Sequence, residues 1–358
     1  IGVSHQRWRP SSSSCLPESY ADGMWVPSTR TPNYRMTLEK WQYAVCDWKP
    51  HHLHAAQGSG AEVVVPTNRD PYEWVPRASC ALPPLERTAV CALLSGLRIV
   101  LVGDSTLAMV FHSLALALRA RTQMDTSGGR RVAHVACGPH AAPVTVVSLR
   151  NDLLLQDTPQ DKKAVRSHRL GWFRKAPWLK EGENLTILGA GLHDVGSDGS
   201  DKIEPGFYAR HLAAAIRSSG PNRTAAVAIA APQPGCSRFT TPLPLSRARL
   251  LAKNASAADS PYLAQWRVWA QRPALMRSVA LANGASFLDL TSMTITRPDG
   301  ALGRFKTWMV DKATKKDVPI PARARDCVHF CLPGPTDTLA RVLIAWAAER
   351  AREGAMLT

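Results

Sequence analysis

The chain alternates between short apolar runs and longer segments whose apolar residues recur at helical spacing. The short runs, which are typical of buried strands, lie at 99–103, 132–137, 144–149, 184–190, 225–231 and 285–290. The segments with helical spacing lie at 85–94, 107–118, 207–218, 262–281 and 337–348. This alternation predicts a parallel sheet with helices on both faces, and Pro273 is expected to kink the fourth helix.

The N-terminal part of the chain does not share this pattern. Residues 1–66 combine a serine run, scattered prolines and many Trp and His residues with little periodicity. Such a segment is expected to fold through disulfides and through packing on a larger body. We therefore predict an irregular N-terminal segment at 1–96 and a large α/β domain at 97–358. Within that domain, 291–325 is predicted to be a long basic loop, and loops of this length are usually functional or disordered.

Ser105 stands at the junction of the first of these strands and its helix. The sequence Gly103-Asp104-Ser105 ends the strand and opens the helix, and open α/β sheets bind ligands at that edge. The backbone N–H of Ser105 would lie at the positive end of the helix, which suits a nucleophile whose own N–H stabilises an oxyanion. The alternative is that Ser105 simply caps the helix, since serine is a favoured N-cap residue.

A second polar motif lies near the C-terminus. Asp326 and His329 are three residues apart, so both side chains can lie on one side of a short turn. The carboxylate could then orient the imidazole, and the imidazole could take the proton of a serine hydroxyl. The flanking Cys327 and Cys331 could fix the turn through disulfides. The alternative for His329 is a histidine packed in a loop.

Together, these motifs resemble the PC-esterase family, and within it the trichome-birefringence-like polysaccharide O-acetyltransferases of the SGNH/GDSL hydrolase superfamily. The resemblance spans roughly residues 70 to 350 and rests on several spaced motifs, which makes it more specific than a single motif. The motifs are Tyr72-Glu-Trp74-Val-Pro76 with Cys80-Ala-Leu82-Pro83, Gly103-Asp104-Ser105, Leu288-Asp289-Leu-Thr291-Ser-Met293 with Arg297-Pro-Asp299-Gly300, and Asp326-Cys-Val-His329-Phe-Cys-Leu-Pro-Gly-Pro-Thr-Asp337.

The resemblance implies a three-layer α/β/α fold of the SGNH type, in which 97–358 is the catalytic domain. It implies a catalytic triad, which consists of Ser105, His329 and Asp326. It also implies oxyanion donors, for which the candidates are Ser105, His193 and Gly138. For His193 the alternative is a loop histidine, and for Gly138 it is a plain turn glycine.

Substrate contacts are expected from Arg297 and Asp299, which match the family's Arg-x-Asp-Gly. The chain departs from the family at two positions. Gln233 and Ala301 stand where relatives often have histidine.

In the mechanism that this implies, Ser105 attacks an acetyl carbonyl and the acetyl group passes from the enzyme to a polysaccharide hydroxyl. A carbohydrate acetylesterase that uses water instead is the first alternative. A catalytically silent glycan-binding or scaffold subunit is the second. No bound cofactor is expected, and an acetyl donor, for which acetyl-CoA is a candidate, acts as a co-substrate.

The chain is strongly basic, with a net charge of +16, which favours an acidic partner. The basic residues are scattered and no nucleic-acid motif occurs, so an acidic glycan is the preferred partner over a nucleic acid. No stretch reaches the roughly 18 apolar residues of a membrane span. The resemblance implies an N-terminal signal anchor upstream of Ile1 as the link to a membrane.

The eight cysteines form an even set, which favours disulfides in an oxidising compartment. They are Cys15, Cys46, Cys80, Cys91, Cys137, Cys236, Cys327 and Cys331. The resemblance implies that this compartment is the Golgi lumen or the extracellular space. Three glycosylation sequons, at Asn184, Asn222 and Asn254, agree with that compartment. No metal is expected, because Cys327 and Cys331 lack a matching ligand pair and His51-His52-Leu-His54 is more typical of a surface loop.

Overall fold

A computed structural model was obtained for the chain. It describes residues 15, 17–28, 35–37, 62–64, 72–77, 80–124, 130–152, 154, 185–189, 205–218, 224–229, 241–254, 272–301, 308–310, 314, 316–320, 326, 328–332 and 334–356.

The described strands are β1 (Gly23–Pro27), β2 (Arg35–Thr37), β3 (Glu62–Val64), β4 (Tyr72–Pro76), β5 (Arg98–Gly103), β6 (Arg121–Met124), β7 (Arg130–Val135), β8 (Val144–Arg150), β9 (Leu185–Gly189), β10 (Thr224–Ile229), β11 (Ser286–Asp289), β12 (Trp308–Val310) and β13 (Asp317–Pro319). The described α-helices are α1 (Pro17–Ala21), α2 (Arg87–Leu94), α3 (Ser105–Ala117), α4 (Pro205–Ser218), α5 (Leu245–Asn254), α6 (Arg272–Ala282), α7 (Thr291–Ile295) and α8 (Pro335–Met356). A short 3₁₀ helix spans Pro298–Gly300.

A seven-stranded sheet in the order β11-β10-β9-β5-β8-β7-β6 forms the centre of the fold. The strands from β11 to β8 are parallel. In chain order these five strands have the arrangement 2-1-3-4-5, a doubly wound order whose switch point lies between β5 and β9. The predicted mostly parallel α/β fold is therefore confirmed.

At one side of the sheet, β7 pairs antiparallel with β8, and β6 pairs antiparallel with β7. The apolar pattern did not predict these antiparallel pairs. The connection from β7 to β8 has eight residues, and a parallel crossover needs a dozen or more. The register joins Val135 to Val144, so the end of β7 lies beside the start of β8. The polar stretch 122–131 contributes to both β6 and β7.

Alternate residues of β5 pack into cores on opposite faces of the sheet. Ile99 and Leu101 belong to a cluster that includes residues of α2, α3 and α8. Val100 and Val102 belong to a second cluster that includes residues of α4, α5 and α6. Because side chains alternate along a strand, this division gives the three-layer α/β/α arrangement that the resemblance implied.

The N-terminal segment packs on the α8 side of the sheet. β1 and β4 pair antiparallel, and the Trp74 indole N–H donates to the carbonyl of Tyr20 at 2.9 Å. The Tyr20 hydroxyl donates to Glu349 of α8 at 2.5 Å. A disulfide joins Cys15 to Cys80, so two distant parts of the segment are linked covalently as well as by burial.

Cysteine pairing agrees with the disulfides expected from the sequence. A second disulfide joins Cys91 to Cys137, and Cys331 is disulfide-bonded as well. Cys46, Cys236 and Cys327 lie outside the described residues. Of the sequons, Asn184 and Asn222 lie outside them too, and Asn254 is the last residue of α5.

Two predicted elements differ from the structure. The described part of the predicted helix 262–281 is α6, which begins at Arg272, so Pro273 lies in its first turn. Proline lacks a backbone N–H, but an N–H in the first turn of a helix has no partner within the helix, so Pro273 removes no helical hydrogen bond. It therefore does not kink the interior of α6. The predicted loop 291–325 contains α7, the 3₁₀ helix and an antiparallel hairpin of β12 and β13.

Candidate active site

Ser105 is the first residue of α3, at the carboxyl end of the central strand β5. The helix is capped by Asp104, whose carboxylate accepts hydrogen bonds from the backbone N–H and hydroxyl of Thr106 at 2.9 and 2.6 Å. The Ser105 hydroxyl makes no hydrogen bond with any residue that the structure describes. Asp104 is therefore the residue that caps the helix, and the Ser105 hydroxyl is available to react.

The backbone around Ser105 is held by the neighbouring strand β9. The N–H of Asp104 donates to the carbonyl of Gly189 at 3.0 Å. A Cβ atom at Gly103 would lie 1.7 Å from that carbonyl oxygen, so only glycine allows the two strands to approach this closely here. On the other side, the N–H of Asn151, at the end of β8, donates to the Gly103 carbonyl at 2.8 Å. Ser105 therefore sits on a backbone that both neighbouring strands fix.

Asp326 and His329 form the polar pair that their spacing predicted. His329 Nδ1 lies 2.7 Å from one oxygen of Asp326. The other oxygen accepts the backbone N–H groups of Val328 and His329 at 3.0 and 3.1 Å. With Nδ1–H donating to the carboxylate, the lone pair of the neutral imidazole is on Nε2. His329 is partly exposed, and its Nε2 makes no hydrogen bond within the described residues.

The Asp326 carboxyl is strongly acidic for a group in this position. Burial by itself would raise its pKa, but the charge and hydrogen bonds of His329 and the N–H of Val328 outweigh burial and lower the pKa to about 2. Asp326 is therefore ionised at neutral pH. An ionised carboxylate can fix the tautomer of His329 and stabilise the imidazolium that forms when Nε2 takes a proton.

The loop that contains Asp326, His329 and Leu332, which we call the histidine loop, packs on α3, the helix that begins at Ser105. Leu332, three residues after His329, forms a small buried cluster with Met109 of α3. Met109 lies four residues after Ser105 and hence on the same helical face. The structure therefore brings the histidine loop to the face of the serine helix, although no hydrogen bond joins Ser105 and His329 in the described part of the chain.

The other side of the histidine loop is attached to the segment after α7. Phe330 forms a β-bridge with Ala301, and the N–H of Cys331 donates to the carbonyl of Gly300 at 3.0 Å. These contacts hold the backbone that follows His329.

Arg297 and Asp299, the predicted substrate-binding residues, form a buried ion pair. Two hydrogen bonds of 2.9 and 3.1 Å join the guanidinium to the carboxylate, and the residues are 1% and 6% exposed. The guanidinium also lies over the rings of Trp25 and Tyr72, at 4.4 and 5.1 Å from their centroids. This environment supports a structural role, since little of either side chain can reach a ligand; the substrate role stays a prediction.

The proposed oxyanion role of Gly138 is wrong for a geometric reason. Gly138 follows β7, which ends beside the start of β8 at the amino edge of the parallel strands. Ser105 lies at the carboxyl edge, beyond the Gly103–Arg150 pair. The seven residues of β8 from Val144 to Arg150 are separated by six steps of about 3.3 Å, which put about 20 Å between the two edges. The positive φ of Gly138, 125°, fits the turn glycine that was the alternative.

His193 and Gln233 lie outside the described residues, so the second oxyanion donor stays a prediction. Two buried polar residues near the site were not predicted. Asn151 is 1% exposed and supports the end of β5, and its only sequence signal is its place directly after the apolar run 144–149. His112 of α3 lies 2.9 Å from an Arg131 guanidinium nitrogen, and burial, reinforced by that charge, holds its pKa well below the ordinary value.

Within the described residues, no group of three or more His, Cys, Asp or Glu side chains is arranged to hold a metal ion. None of the described helices combines the length and apolar character needed to cross a membrane.

Comparison with known proteins agrees with the resemblance of the motifs. Residues 251–346 match the family model described as "PC-Esterase: GDSL/SGNH-like Acyl-Esterase family found in Pmr5 and Cas1p". That segment includes the buried Arg297–Asp299 pair and the Asp326–His329 pair.

Three Arabidopsis thaliana proteins are similar to shorter segments. Xyloglucan O-acetyltransferase 1 is 44% identical over 59 residues, which are 16% of this chain and 13% of that protein. Protein trichome birefringence-like 26 is 31% identical over 77 residues, 22% of this chain and 17% of that protein. Protein trichome birefringence-like 24 is 41% identical over 58 residues, 16% of this chain and 12% of that protein. The matches thus cover less than a fifth of each relative's length.

Proposed function

Since this chain is a relative of the PC-esterase family, we propose that it transfers an acetyl group to a polysaccharide hydroxyl through an acetyl-enzyme intermediate. Ser105 is the nucleophile, His329 the general base and Asp326 the carboxylate that orients it. One observation carries the proposal: the Asp326–His329 pair lies on a loop that packs against the face of the helix begun by Ser105.

In the first half of the reaction, Ser105 Oγ attacks the acetyl carbonyl carbon and its proton passes to His329 Nε2. The carbonyl oxygen becomes an oxyanion, which the Ser105 N–H stabilises at the positive end of α3. His193 is proposed as the second donor. The leaving group departs with the proton from His329, and the acetyl group stays on Ser105.

In the second half, His329 takes the proton of a sugar hydroxyl, whose oxygen attacks the acetyl-Ser105 carbonyl. The new sugar ester forms as the bond to Ser105 Oγ breaks, and His329 returns its proton to Ser105. Acetyl-CoA is the proposed donor. The acceptor is proposed to be a glycan, with acidic groups favoured by the net charge of +16. The disulfides favour a secretory compartment or the cell exterior as the place of action.

An acetylesterase is the second candidate function, and one observation favours it. The His329 side chain is 25% exposed, so water can approach the base that would activate it. Hydrolysis would use the same triad, with water in place of the sugar hydroxyl.

The test compares the wild-type protein with Ser105→Ala and with a matched control, Ser95→Ala. Ser95 lies before β5 at the opposite edge of the sheet, where its hydroxyl donates to Ala142. The proteins are incubated with acetyl-CoA and xyloglucan oligosaccharides or acidic oligosaccharides, and the products are identified by mass spectrometry. We expect acetylated sugar from the wild type and Ser95→Ala but none from Ser105→Ala.

Release of acetate from an acetylated glycan, without transfer, would support the esterase. Glycan binding with no turnover of either kind would overturn both enzymatic functions and support a silent binding subunit. Equal turnover by Ser105→Ala would overturn the role of Ser105.

A further inference from the structure

A carboxylate after the histidine loop makes a second direct contact with the serine helix. Asp337 of α8 accepts a hydrogen bond from the Ser113 hydroxyl of α3 through one oxygen. Its other oxygen accepts the N–H of Gly334 at 3.0 Å, and its own N–H donates to the Gly334 carbonyl at 2.9 Å. Asp337 therefore closes the turn that follows the histidine loop and joins this turn to α3.

The contacts between the loop and α3 follow one helical face. Ser105, Met109 and Ser113 are spaced by four residues, so they form a row along α3 about 12 Å long. Leu332 packs on Met109, and Leu116 flanks the same cluster. The loop and the turn after it thus run along the face that begins with the proposed nucleophile.

Neither Ser113 nor Asp337 has a place in the chemistry described above. Ser113 is 1% exposed and lies two turns into the helix, so it does not touch a substrate at the sheet edge. A hydrogen bond to a carboxylate is stronger and more directional than one between neutral groups. The Ser113–Asp337 bond is therefore well suited to fix one element against another.

We propose that Ser113 and Asp337 are positioning residues that hold His329 in register with Ser105, that is, at the place along α3 where the two side chains can react together. The proposal rests on the proposed function, because register matters only if Ser105 and His329 react together. Losing the bond would let the loop shift along α3, and a displacement of about 1 Å at a reacting group can cost roughly 100-fold in rate.

A purely structural role for Asp337 is the competing explanation. Its contact with Gly334 resembles a capping box, in which the third residue of a helix satisfies the N-cap N–H. Replacing Ser113 separates the two roles, since Ser113→Ala removes the link to α3 and leaves the contact with Gly334 in place.

The experiment compares Ser113→Ala with Ser113→Thr, which restores the hydroxyl, and with Tyr20→Phe as a matched control. Tyr20 also donates a side-chain hydrogen bond to α8, but its partner Glu349 lies 12 residues, or about 18 Å, beyond Asp337. The measurements are kcat and KM for a chromogenic acetyl ester, the labelling rate of Ser105 by a fluorophosphonate, and hydrogen exchange of the 326–332 backbone.

For Ser113→Ala we expect kcat and the labelling rate to fall by roughly 10- to 100-fold, with KM changed less than about twofold. Amide exchange in the histidine loop should quicken by at least about tenfold. Ser113→Thr should recover most of the rate, and Tyr20→Phe should change none of these quantities. If Ser113→Ala keeps wild-type kcat and exchange, the positioning role is overturned. An equal fall in kcat for Tyr20→Phe would also overturn it, because the lower kcat would then come from a general loss of stability of the protein.

Failure of the proposed function is a different result. A wild-type protein with no turnover and no Ser105 labelling would overturn that function, and with it the role of Ser113 in register. The exchange data would then still show whether the Ser113–Asp337 bond holds the loop.

Discussion

Asp326 shows how one side chain can decide the chemistry of its neighbour. One of its carboxylate oxygens is hydrogen-bonded to the His329 imidazole, and the other accepts hydrogen bonds from the backbone N–H groups of Val328 and His329 in the same turn. The turn therefore orients the carboxylate, and the carboxylate orients the ring. This arrangement assigns Nδ1 as the donor and leaves Nε2 to act as a base.

Replacing Asp326 by asparagine should remove most of the activity while keeping the fold. An amide can donate to Nδ1, which favours the tautomer with the proton on Nε2 and so removes the base. We expect kcat to fall by roughly 10³- to 10⁴-fold with a smaller change in KM. Steady-state kinetics with an acetyl ester measure this effect. A fall of less than tenfold would show that the carboxylate does not control His329.

The low pKa of Asp326 also predicts an acid-dependent contribution to stability. Because the folded-state pKa, about 2, is below the ordinary 3.8, the ionised group stabilises the fold above about pH 4, and this contribution disappears as the pH falls through 2. Partial exposure reduces its size to about 1–2 kcal/mol.

Urea unfolding of the wild type and Asp326→Asn at several pH values checks this contribution. The difference in unfolding free energy should shrink between pH 4 and pH 2. A difference that stays constant over this range would contradict the coupling between Asp326 and His329.

At the scale of elements, the 3₁₀ helix Pro298–Gly300 joins the antiparallel pair β1–β4 of the N-terminal segment to the site. Arg297 precedes this helix and inserts its guanidinium against Trp25 of β1 and Tyr72 of β4. Gly300 at its end accepts the N–H of Cys331, two residues after His329. The β1–β4 pair, the Arg297–Asp299 ion pair and the histidine loop are thus in contact one after another.

Breaking the Arg297–Asp299 pair should destabilise the protein strongly. In Arg297→Gln the Asp299 carboxylate would stay buried without its cation, which costs about 3–5 kcal/mol. Arg77→Gln is the matched control, because Arg77 and Asp22 form an exposed pair at 3.7 Å that contributes less than about 1 kcal/mol. Urea unfolding measures both free energies. Similar losses in the two variants would contradict the structural importance of the buried pair.

At the scale of the whole molecule, the two described disulfides link different parts of the chain: Cys15–Cys80 lies within the N-terminal segment, and Cys91–Cys137 joins that segment to the α/β domain. The Cys15–Cys80 bond closes a sequence separation of 65 residues within the N-terminal segment, and Cys91–Cys137 closes one of 46 residues that contains β5, α3, β6 and β7. The two disulfides and the contacts of Tyr20 and Trp74 hold the described parts of segment 1–96 in place.

Removing the first disulfide should loosen the N-terminal segment before the central sheet. From loop length, the double variant Cys15→Ala/Cys80→Ala should lose about 4 kcal/mol of unfolding free energy. Limited proteolysis should then cut the segment around α1 and β1 first. Cys91→Ala/Cys137→Ala should lose a similar amount without exposing that segment to protease. Equal cleavage in both variants would show that the disulfide does not hold this segment.

The sequence by itself determined the features that depend on neighbours along the chain. The strand at β5, the helix opened at Ser105 and the Asp326–His329 turn were all predicted, because periodicity and spacing act over a few residues. The parallel sheet followed from their alternation.

Only the tertiary structure decided which distant residues meet. It set β7 antiparallel, and so placed Gly138 at the edge opposite to Ser105. It assigned Arg297 to a buried ion pair and gave Ser113 a partner 224 residues away. These contacts depend on how the layers pack and on which strands are neighbours, and local patterns of hydrophobic and polar residues carry no record of either.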